Sequence, residues 1–147
     1  MNITRFTDYS LRVLIYVALN DKELATIKSI SEQYKISKNH LMKIVQELNT
    51  QGYLQSIRGK NGGIKLGKPA NSINVGDLIR HFEANSTLVE CFGDNNLCII
   101  TPACKLKAMF ADAMEAFYES LSQYTIADLV KGNKKKQLRR LLFYSAD

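Results

Sequence analysis

The chain has no long hydrophobic run of the kind that places a protein in a membrane. Its longest dense apolar stretch, residues 13–19, is far too short to cross a bilayer. That stretch follows Arg12 directly and lacks a small-residue cleavage site, which argues against a secretory signal peptide. A hydrophobic fraction of 46% over 147 residues excludes general disorder. We therefore expect a cytoplasmic globular protein without membrane contact, built as one domain or as a small domain with a dimerisation element.

Cysteine and histidine are scarce. The only cysteines, Cys91, Cys98 and Cys104, crowd into one polar stretch. In a reducing compartment such a group binds metal or reacts in redox chemistry more often than it forms disulfides. Three thiolates need a fourth donor to complete a zinc or cluster site. The two histidines, His40 and His81, lie on other predicted helices without ligand spacing. Because a cluster tolerates an oxygen ligand, an iron–sulfur cluster is favoured over zinc.

Positive charge is concentrated in one part of the chain. Residues 35–68 carry seven basic residues and one acid, a net charge of +6, and the remainder is neutral in sum. The basic residues are Lys35, Lys38, Lys43, Arg58, Lys60, Lys65 and Lys68, and the acid is Glu47. Localised positive charge is typical of a surface that binds a polyanion, although a charge run is also compatible with an ordinary solvated face.

A helix-turn-helix followed by a basic hairpin is predicted in the same region. A first helix spans residues 8–19, with Thr7 or Asp8 as its cap, and two short helices then occupy residues 27–51. Thr26 and Ser37 can cap these two helices. Strands at 53–57 and 64–66 flank a glycine-rich loop with the sequence RGKNGG. Together these elements predict a winged helix-turn-helix domain over residues 1–84, with the wing at 53–66.

The rest of the chain predicts a mostly α-helical protein. Residues 85–104 are irregular and carry the cysteines, and Thr101-Pro102 is a helix-start signal. This places Cys104 in the first turn of the long helix, where the helix dipole favours a thiolate. A long apolar helix and a following short helix fill residues 102–130, and homodimerisation is the simplest way to cover the long helix. Residues 131–147 form a basic tail that either contacts DNA non-specifically or aids solubility.

The recognition helix and the wing supply the candidate DNA-binding residues. They are Ser37, Lys38, Asn39, His40, Lys43, Arg58, Lys60 and Asn61. The first turn of the recognition helix is expected to enter the major groove, and Arg58 the minor groove. Lys60 and Asn61 are expected to position the protein on phosphates. The alternative is an exposed helix in a winged-helix domain that binds proteins.

Several motifs resemble a known family over nearly the whole chain. These are TRFTDYSLRVLIYVAL near the start, SKNHLMKIVQEL on the recognition helix, RGKNGGIKLGKPA in the wing, CIITPACKLK at the cysteine loop and YTIADLV near the end. In this combination the chain resembles the NsrR family of nitric-oxide-sensing repressors, which is related to the iron–sulfur biogenesis regulator IscR.

The resemblance implies a homodimeric repressor of nitrosative-stress genes that binds double-stranded operator DNA and responds to nitric oxide. It implies one iron–sulfur cluster per subunit, [2Fe-2S] or [4Fe-4S], with Cys91, Cys98 and Cys104 as ligands. It also suggests Asp8, donated by the partner subunit, as the fourth ligand; the alternative is that Asp8 only caps its helix. The biogenesis regulator has a ligand histidine three residues after its last cysteine, where this chain has Lys107.

Three other functions are left open by the residues. An iron-free repressor could use the same cysteines as a disulfide switch under oxidation. A cysteine-dependent enzyme would need a cysteine–histidine pair and a substrate pocket, and the sequence offers no motif for either. A pure interaction module would bind no operator. The function expected from the sequence is an iron–sulfur repressor that is not an enzyme.

Overall fold

The computed structural model describes residues 1–144, and its helices and one small sheet follow the predicted order. The helices are α1 (Arg5–Leu19), α2 (Ile27–Tyr34), α3 (Lys38–Thr50), α4 (Val75–Phe82), α5 (Lys105–Leu121), α6 (Ile126–Leu129) and α7 (Gly132–Phe143). Strands β1 (Leu54–Ile57) and β2 (Gly63–Leu66) pair antiparallel. Three short 3-10 turns occupy Ala70–Ser72, Glu90–Phe92 and Thr101–Ala103. The predicted fold class, a mostly α winged helix-turn-helix protein with a long C-terminal helix, is confirmed. No helix within the described residues is long and apolar enough to span a membrane.

The helix-turn-helix forms because its apolar side chains recur at helical spacing and its ends are capped. The Thr26 hydroxyl accepts a hydrogen bond from the Ser29 amide, and the Ser37 hydroxyl from the His40 amide, as predicted. Between the helices Lys35 adopts a left-handed conformation with φ 56°, which ends α2 and turns the chain. The largest fully buried apolar side chains of this head are Leu14, Leu19, Ile30, Leu41, Ile44 and Leu48.

The first helix begins earlier than predicted. It starts at Arg5, and the Thr4 hydroxyl caps it by accepting a hydrogen bond from the Thr7 amide at 3.3 Å. The expectation that Thr7 or Asp8 caps the helix is therefore wrong. The Thr7 side chain is instead fully buried, and Asp8 lies in the first helical turn.

The long helix also differs from its predicted start. Thr101–Ala103 forms a separate 3-10 turn, so α5 begins at Lys105. Cys104 was predicted to lie in the first turn of this helix. It is instead the residue directly before the helix, and its side chain makes no capping hydrogen bond. Helix α5 packs along α4 so closely that a Cβ atom at Gly76 would lie 2.1 Å from the Ser122 hydroxyl. Only glycine fits at that crossing.

Most of the predicted basic tail is a helix. Helix α7 packs on α1, where Leu142 is buried and the Phe143 ring lies 5.0 Å from the Tyr16 ring. Arg139 donates to the Leu19 carbonyl at 2.9 Å and pairs with Asp21 at 3.1 Å. Residues 145–147, the end of that segment, lie outside the described residues.

Candidate DNA-binding surface and cysteine loop

Helix α3 presents a polar and basic outer face to solvent. Its apolar stripe is buried in the head, and Lys38, Asn39 and Lys43 are exposed on the other side. His40, predicted to face DNA or solvent, is only half-exposed because its ring packs edge-on against Tyr9 of α1, with ring centroids 5.1 Å apart. The outer face therefore carries lysines that can bind phosphates and an amide that can hydrogen-bond to base edges. His40 links this face to α1 through its contact with Tyr9.

The wing is a short hairpin that extends its basic loop away from the core. Arg58, Lys60 and Asn61 are all exposed at its tip. Gly59 has φ 113°, a backbone conformation that L side chains rarely adopt, so the turn depends on this glycine. On β2, Ile64 also pairs with Ala25, the second residue before α2. The three predicted wing residues thus lie together on one projecting loop.

One side-chain hydrogen bond fixes the wing against the recognition helix. The Asn49 amide nitrogen near the end of α3 donates to the Ser56 hydroxyl on β1 at 2.7 Å. The Asn49 carbonyl oxygen is buried and has no hydrogen-bond partner within the described residues. Sequence reasoning missed this contact, because nothing local marks which residue of the hairpin an outer-face asparagine will meet.

An open groove of about 760 Å³ separates α3 from the wing. Its lining comes from the start of α2, the outer face of α3 and the strands of the wing. The lining residues are Thr26, Ile27, Met42, Val45, Gln46, Asn49, Thr50, Ser56, Arg58, Gly63 and Ile64. None of them is acidic, so the groove is electrostatically open to a polyanion.

The cysteine loop is organised by side-chain hydrogen bonds rather than by a core. The Glu90 carboxylate accepts from the Leu97 amide at 2.5 Å and so closes the segment between Cys91 and Cys98. The Asn96 carbonyl accepts from the Cys98 amide at 3.0 Å, and its amide donates to the Thr101 hydroxyl at 2.9 Å. The loop therefore has a defined path without help from buried apolar side chains.

The three cysteines are free thiols, with Cys98 exposed and the other two half-buried. Within residues 1–144 no three His, Cys, Asp or Glu side chains are grouped closely enough to hold a metal ion. The donor chemistry nevertheless fits an iron–sulfur cluster, since three thiolates on one accessible loop are the soft ligands that such clusters use. The loop would have to rearrange to bring its sulfurs together.

Asp8 is held by an ion pair within its own helix. Arg12, one turn further along α1, donates to both Asp8 carboxylate oxygens at 3.1 and 2.7 Å. The Arg12 guanidinium also lies 5.3 Å from the centroid of the Tyr9 ring, which packs on His40. Asp8 and the recognition helix are thus the two ends of one continuous line of side-chain contacts.

A buried carboxylate joins the start of α1 to the end of α4, directly before the cysteine loop. Glu83 accepts hydrogen bonds from the Thr4 amide at 3.0 Å, the Thr4 hydroxyl at 2.7 Å and the Thr7 hydroxyl at 2.5 Å. Burial raises the pKa of Glu83, but the hydrogen bonds from Thr7 and Thr4 more than offset this effect and hold it below its ordinary value. No sequence pattern pointed to Glu83, because its partners lie more than seventy residues away.

Both the loop and the start of α5 carry exposed apolar side chains. Leu97 and Ile99 of the loop are 87% and 93% exposed, and Met109 of α5 is 62% exposed. Leu106 and Phe110 lie on the same part of α5 and are also exposed. Leu106, Met109 and Phe110 recur at helical spacing on one face of α5, and grouped exposed apolar side chains of this kind are typical of an interaction site.

A basic recognition helix, a glycine-dependent wing and a capped helix-turn-helix define a winged helix-turn-helix DNA-binding regulator. The chain belongs to the Rrf2 family, described as iron-dependent transcriptional regulators, which matches residues 3–132. It is accordingly a DNA-binding transcriptional regulator and not an enzyme.

Among its relatives is the HTH-type transcriptional regulator NsrR of Bacillus licheniformis, 49% identical over 144 residues, which are 97% of this chain and 99% of that one. The NsrR of Bacillus subtilis is 47% identical over 97% of both chains. Among solved structures, CymR of B. subtilis, the global cysteine regulator, matches with a TM-score of 0.69 at 28% identity, covering 88% of this chain and 95% of that one. IscR of T. potens matches in fold, with a TM-score of 0.74 at 22% identity over 93% and 91% of the chains.

Proposed function

We propose that this regulator is a nitric-oxide-sensitive repressor that binds operator DNA as a homodimer and carries one iron–sulfur cluster per subunit. Cys91, Cys98 and Cys104 would hold the cluster. When bound, the cluster supplies iron that reacts with nitric oxide. The observation that carries the proposal is an accessible three-thiol loop in a chain that is 47–49% identical to regulators named NsrR. The family description, iron-dependent regulation, supports the same conclusion.

A second copy of the chain is the proposed cover for the apolar surface of the loop and α5. Pairing through α5 would bury Leu106, Met109 and Phe110, which are otherwise left in water. It would also set the distance between two recognition helices, so the operator should contain two half-sites about one helical turn apart.

The fourth ligand is proposed to be Asp8 of the partner subunit. In that role the Asp8 carboxylate would have to leave Arg12, which here holds both of its oxygens. A shift of Asp8 would move Arg12, which contacts the Tyr9 ring. Tyr9 in turn packs against His40 in the first turn of α3, so the shift would reach the recognition helix. A hundredfold change in operator affinity requires a coupling free energy of only about 2.7 kcal/mol, which one ligand exchange of this kind can supply.

An iron-free thiol switch is the second candidate. It is favoured by the exposed thiol of Cys98 and by a solved structure of the oxidised form of Staphylococcus aureus CymR, which is 26% identical to this chain with a TM-score of 0.71. In that case oxidation would join two of the loop cysteines and displace the loop.

Anaerobic purification followed by native mass spectrometry separates the two candidates. The iron–sulfur proposal expects a brown dimer whose mass includes iron and sulfide for each subunit, with visible absorption that nitric oxide bleaches. Its control is the Lys60→Ala variant, which alters the wing and should retain the same iron and sulfide. A colourless dimer of bare polypeptide mass, whose operator binding responds to oxidation but not to nitric oxide, would establish the thiol switch instead.

A further inference from the structure

Helix α3 carries one apolar side chain on its otherwise polar outer face. Met42 is 58% exposed, whereas the other large apolar residues of the helix, Leu41, Ile44, Val45 and Leu48, are buried. It lies three residues after Asn39 and four before Gln46, so helical spacing places it on the same outer stripe as these two amides. Both of these residues are exposed. Core packing therefore does not explain why a methionine stands at this position.

The surroundings of Met42 indicate a ligand that is both anionic and partly apolar. Met42 lines the groove between α3 and the wing, together with Gln46, Asn49 and Arg58. No acidic residue lines this groove, and exposed Lys38 and Lys43 lie on the same helix. DNA combines a charged backbone with one prominent apolar group in its major groove, the C5-methyl of thymine.

We propose that Met42 contacts a thymine methyl group in each operator half-site and thereby determines specificity at that base pair. The inference rests on the proposed function, in which the outer face of α3 enters the major groove. The amides of Asn39 and Gln46 can read hydrogen-bonding edges on either side, and a thioether cannot. The methionine side chain is unbranched and polarisable, so it adapts well to a methyl group. Met42 thus adds the apolar part of the readout.

Replacing thymine by deoxyuridine removes the methyl group and keeps every hydrogen-bonding atom, which gives a direct test. The operator is first selected from random duplexes with the anaerobically purified protein, and each thymine is then replaced by deoxyuridine symmetrically in both half-sites. At one thymine position, the replacement should lower the affinity of the wild-type protein about fourfold per half-site, or roughly fifteenfold for both half-sites. This is the loss expected when one buried methyl group is removed from each half-site.

The variants complete a double-mutant cycle at that position. On the thymine operator, Met42→Ala should lose affinity by a similar factor relative to the wild type. Replacing thymine by deoxyuridine should then cause no further loss of affinity in this variant. Met42→Leu, which keeps an apolar side chain, should retain most of the deoxyuridine penalty. Lys43→Ala is the matched control on the same helix: it should weaken binding to both operators and leave the penalty unchanged. Equal thermal unfolding of Met42→Ala and the wild type shows that the variant folds.

Three results would overturn the inference. The wild type could tolerate deoxyuridine at every position while still binding the operator, which removes the Met42 contact and leaves the proposed function intact. Met42→Ala could keep the full deoxyuridine penalty, which assigns the methyl contact to another residue. If the wild type selects no operator at all, the proposed function and the Met42 contact fail together.

Discussion

The winged head and the cysteine loop are stabilised by different kinds of interaction. In the head, side chains such as Leu14, Ile30 and Leu41 are fully buried between three helices. In the loop, Leu97 and Ile99 point into solvent, and Glu90 is one of a few side chains that hold the backbone. Segments with little burial open at low free-energy cost, whereas packed cores do not. The head can therefore keep its shape while the loop rearranges. The proposed function requires this, because the head binds DNA and the cysteine loop responds to the signal.

The largest expected effect on stability comes from shortening a buried side chain in the core of the head. Leu41→Ala should lower the free energy of unfolding by about 2–5 kcal/mol, because it leaves a cavity at a fully buried site. Cys98→Ser in the metal-free protein changes an exposed side chain of the loop and should stay within about 0.5 kcal/mol. Urea unfolding followed by circular dichroism measures both. Equal losses for the two variants would contradict the proposed difference between the regions.

Glu83 joins the two regions, and its removal should have the next largest effect. Glu83→Gln weakens the hydrogen bonds from Thr4 and Thr7 at a buried site and should cost about 1–3 kcal/mol of stability. Because the folded-state pKa of Glu83 lies below the ordinary value of 4.5, its contribution is present above that pH and is lost as the pH falls through the folded pKa.

The pH dependence provides the check on that role. Between neutral pH and the acid range, the wild type should lose stability more steeply than Glu83→Gln, since only the wild type has this carboxylate to protonate. The control is Glu115→Gln, which removes an exposed carboxylate paired with Arg80 and should leave stability almost unchanged, because surface ion pairs contribute little. Parallel pH profiles for the wild type and Glu83→Gln would show that the buried carboxylate does not have this effect.

Within the head, the wing residues should separate into specific and non-specific contacts. Arg58→Ala should reduce operator affinity by about 1–3 kcal/mol and relax the preference for operator over random DNA. Lys60→Ala should weaken both alike and reduce the salt dependence of binding by about one phosphate contact. Fluorescence anisotropy at several salt concentrations measures both quantities. If Arg58→Ala loses the same factor on operator and random DNA, its role in specificity is wrong.

The smallest effect is expected from the contact between α3 and the wing. Ser56→Ala removes the hydrogen bond from Asn49 and should cost about 0.5–1.5 kcal/mol. The loss should appear as faster hydrogen exchange in β1 and β2, with α3 unchanged. Gln55→Ala, an exposed change on the same strand, is the control. Unchanged exchange in the wing of Ser56→Ala would show that the hairpin is held by its backbone pairing alone.

The parts of the fold that the sequence predicted are those determined by local chemistry. The caps at Thr26 and Ser37, the apolar stripe of α3 and the glycine-rich wing each depend on residues a few positions apart. The start of α1 was missed because Thr4, Thr7 and Asp8 are all capable caps. Glu83, distant in sequence, forms hydrogen bonds with two of the three and so decides between them.

Helix α7 was missed for a related reason. Its many basic residues are typical of a solvated tail, and its stability comes from the tertiary contacts of Leu142 and Arg139 with α1 and with Asp21, two residues beyond that helix. The line of contacts from Asp8 to His40 likewise crosses from α1 to α3. The cysteines, DNA-contacting residues and fourth ligand proposed from the sequence remain predictions, because they concern a cofactor, a duplex and a second subunit.

The most direct test of the account is operator affinity before and after nitric oxide, measured anaerobically on the wild type and on the variant with all three cysteines changed to serine. We predict that nitric oxide lowers the operator affinity of the wild type about a hundredfold, by about 2.7 kcal/mol, and that the serine variant binds weakly with or without the gas. Equal, tight and gas-insensitive binding by both proteins would contradict it.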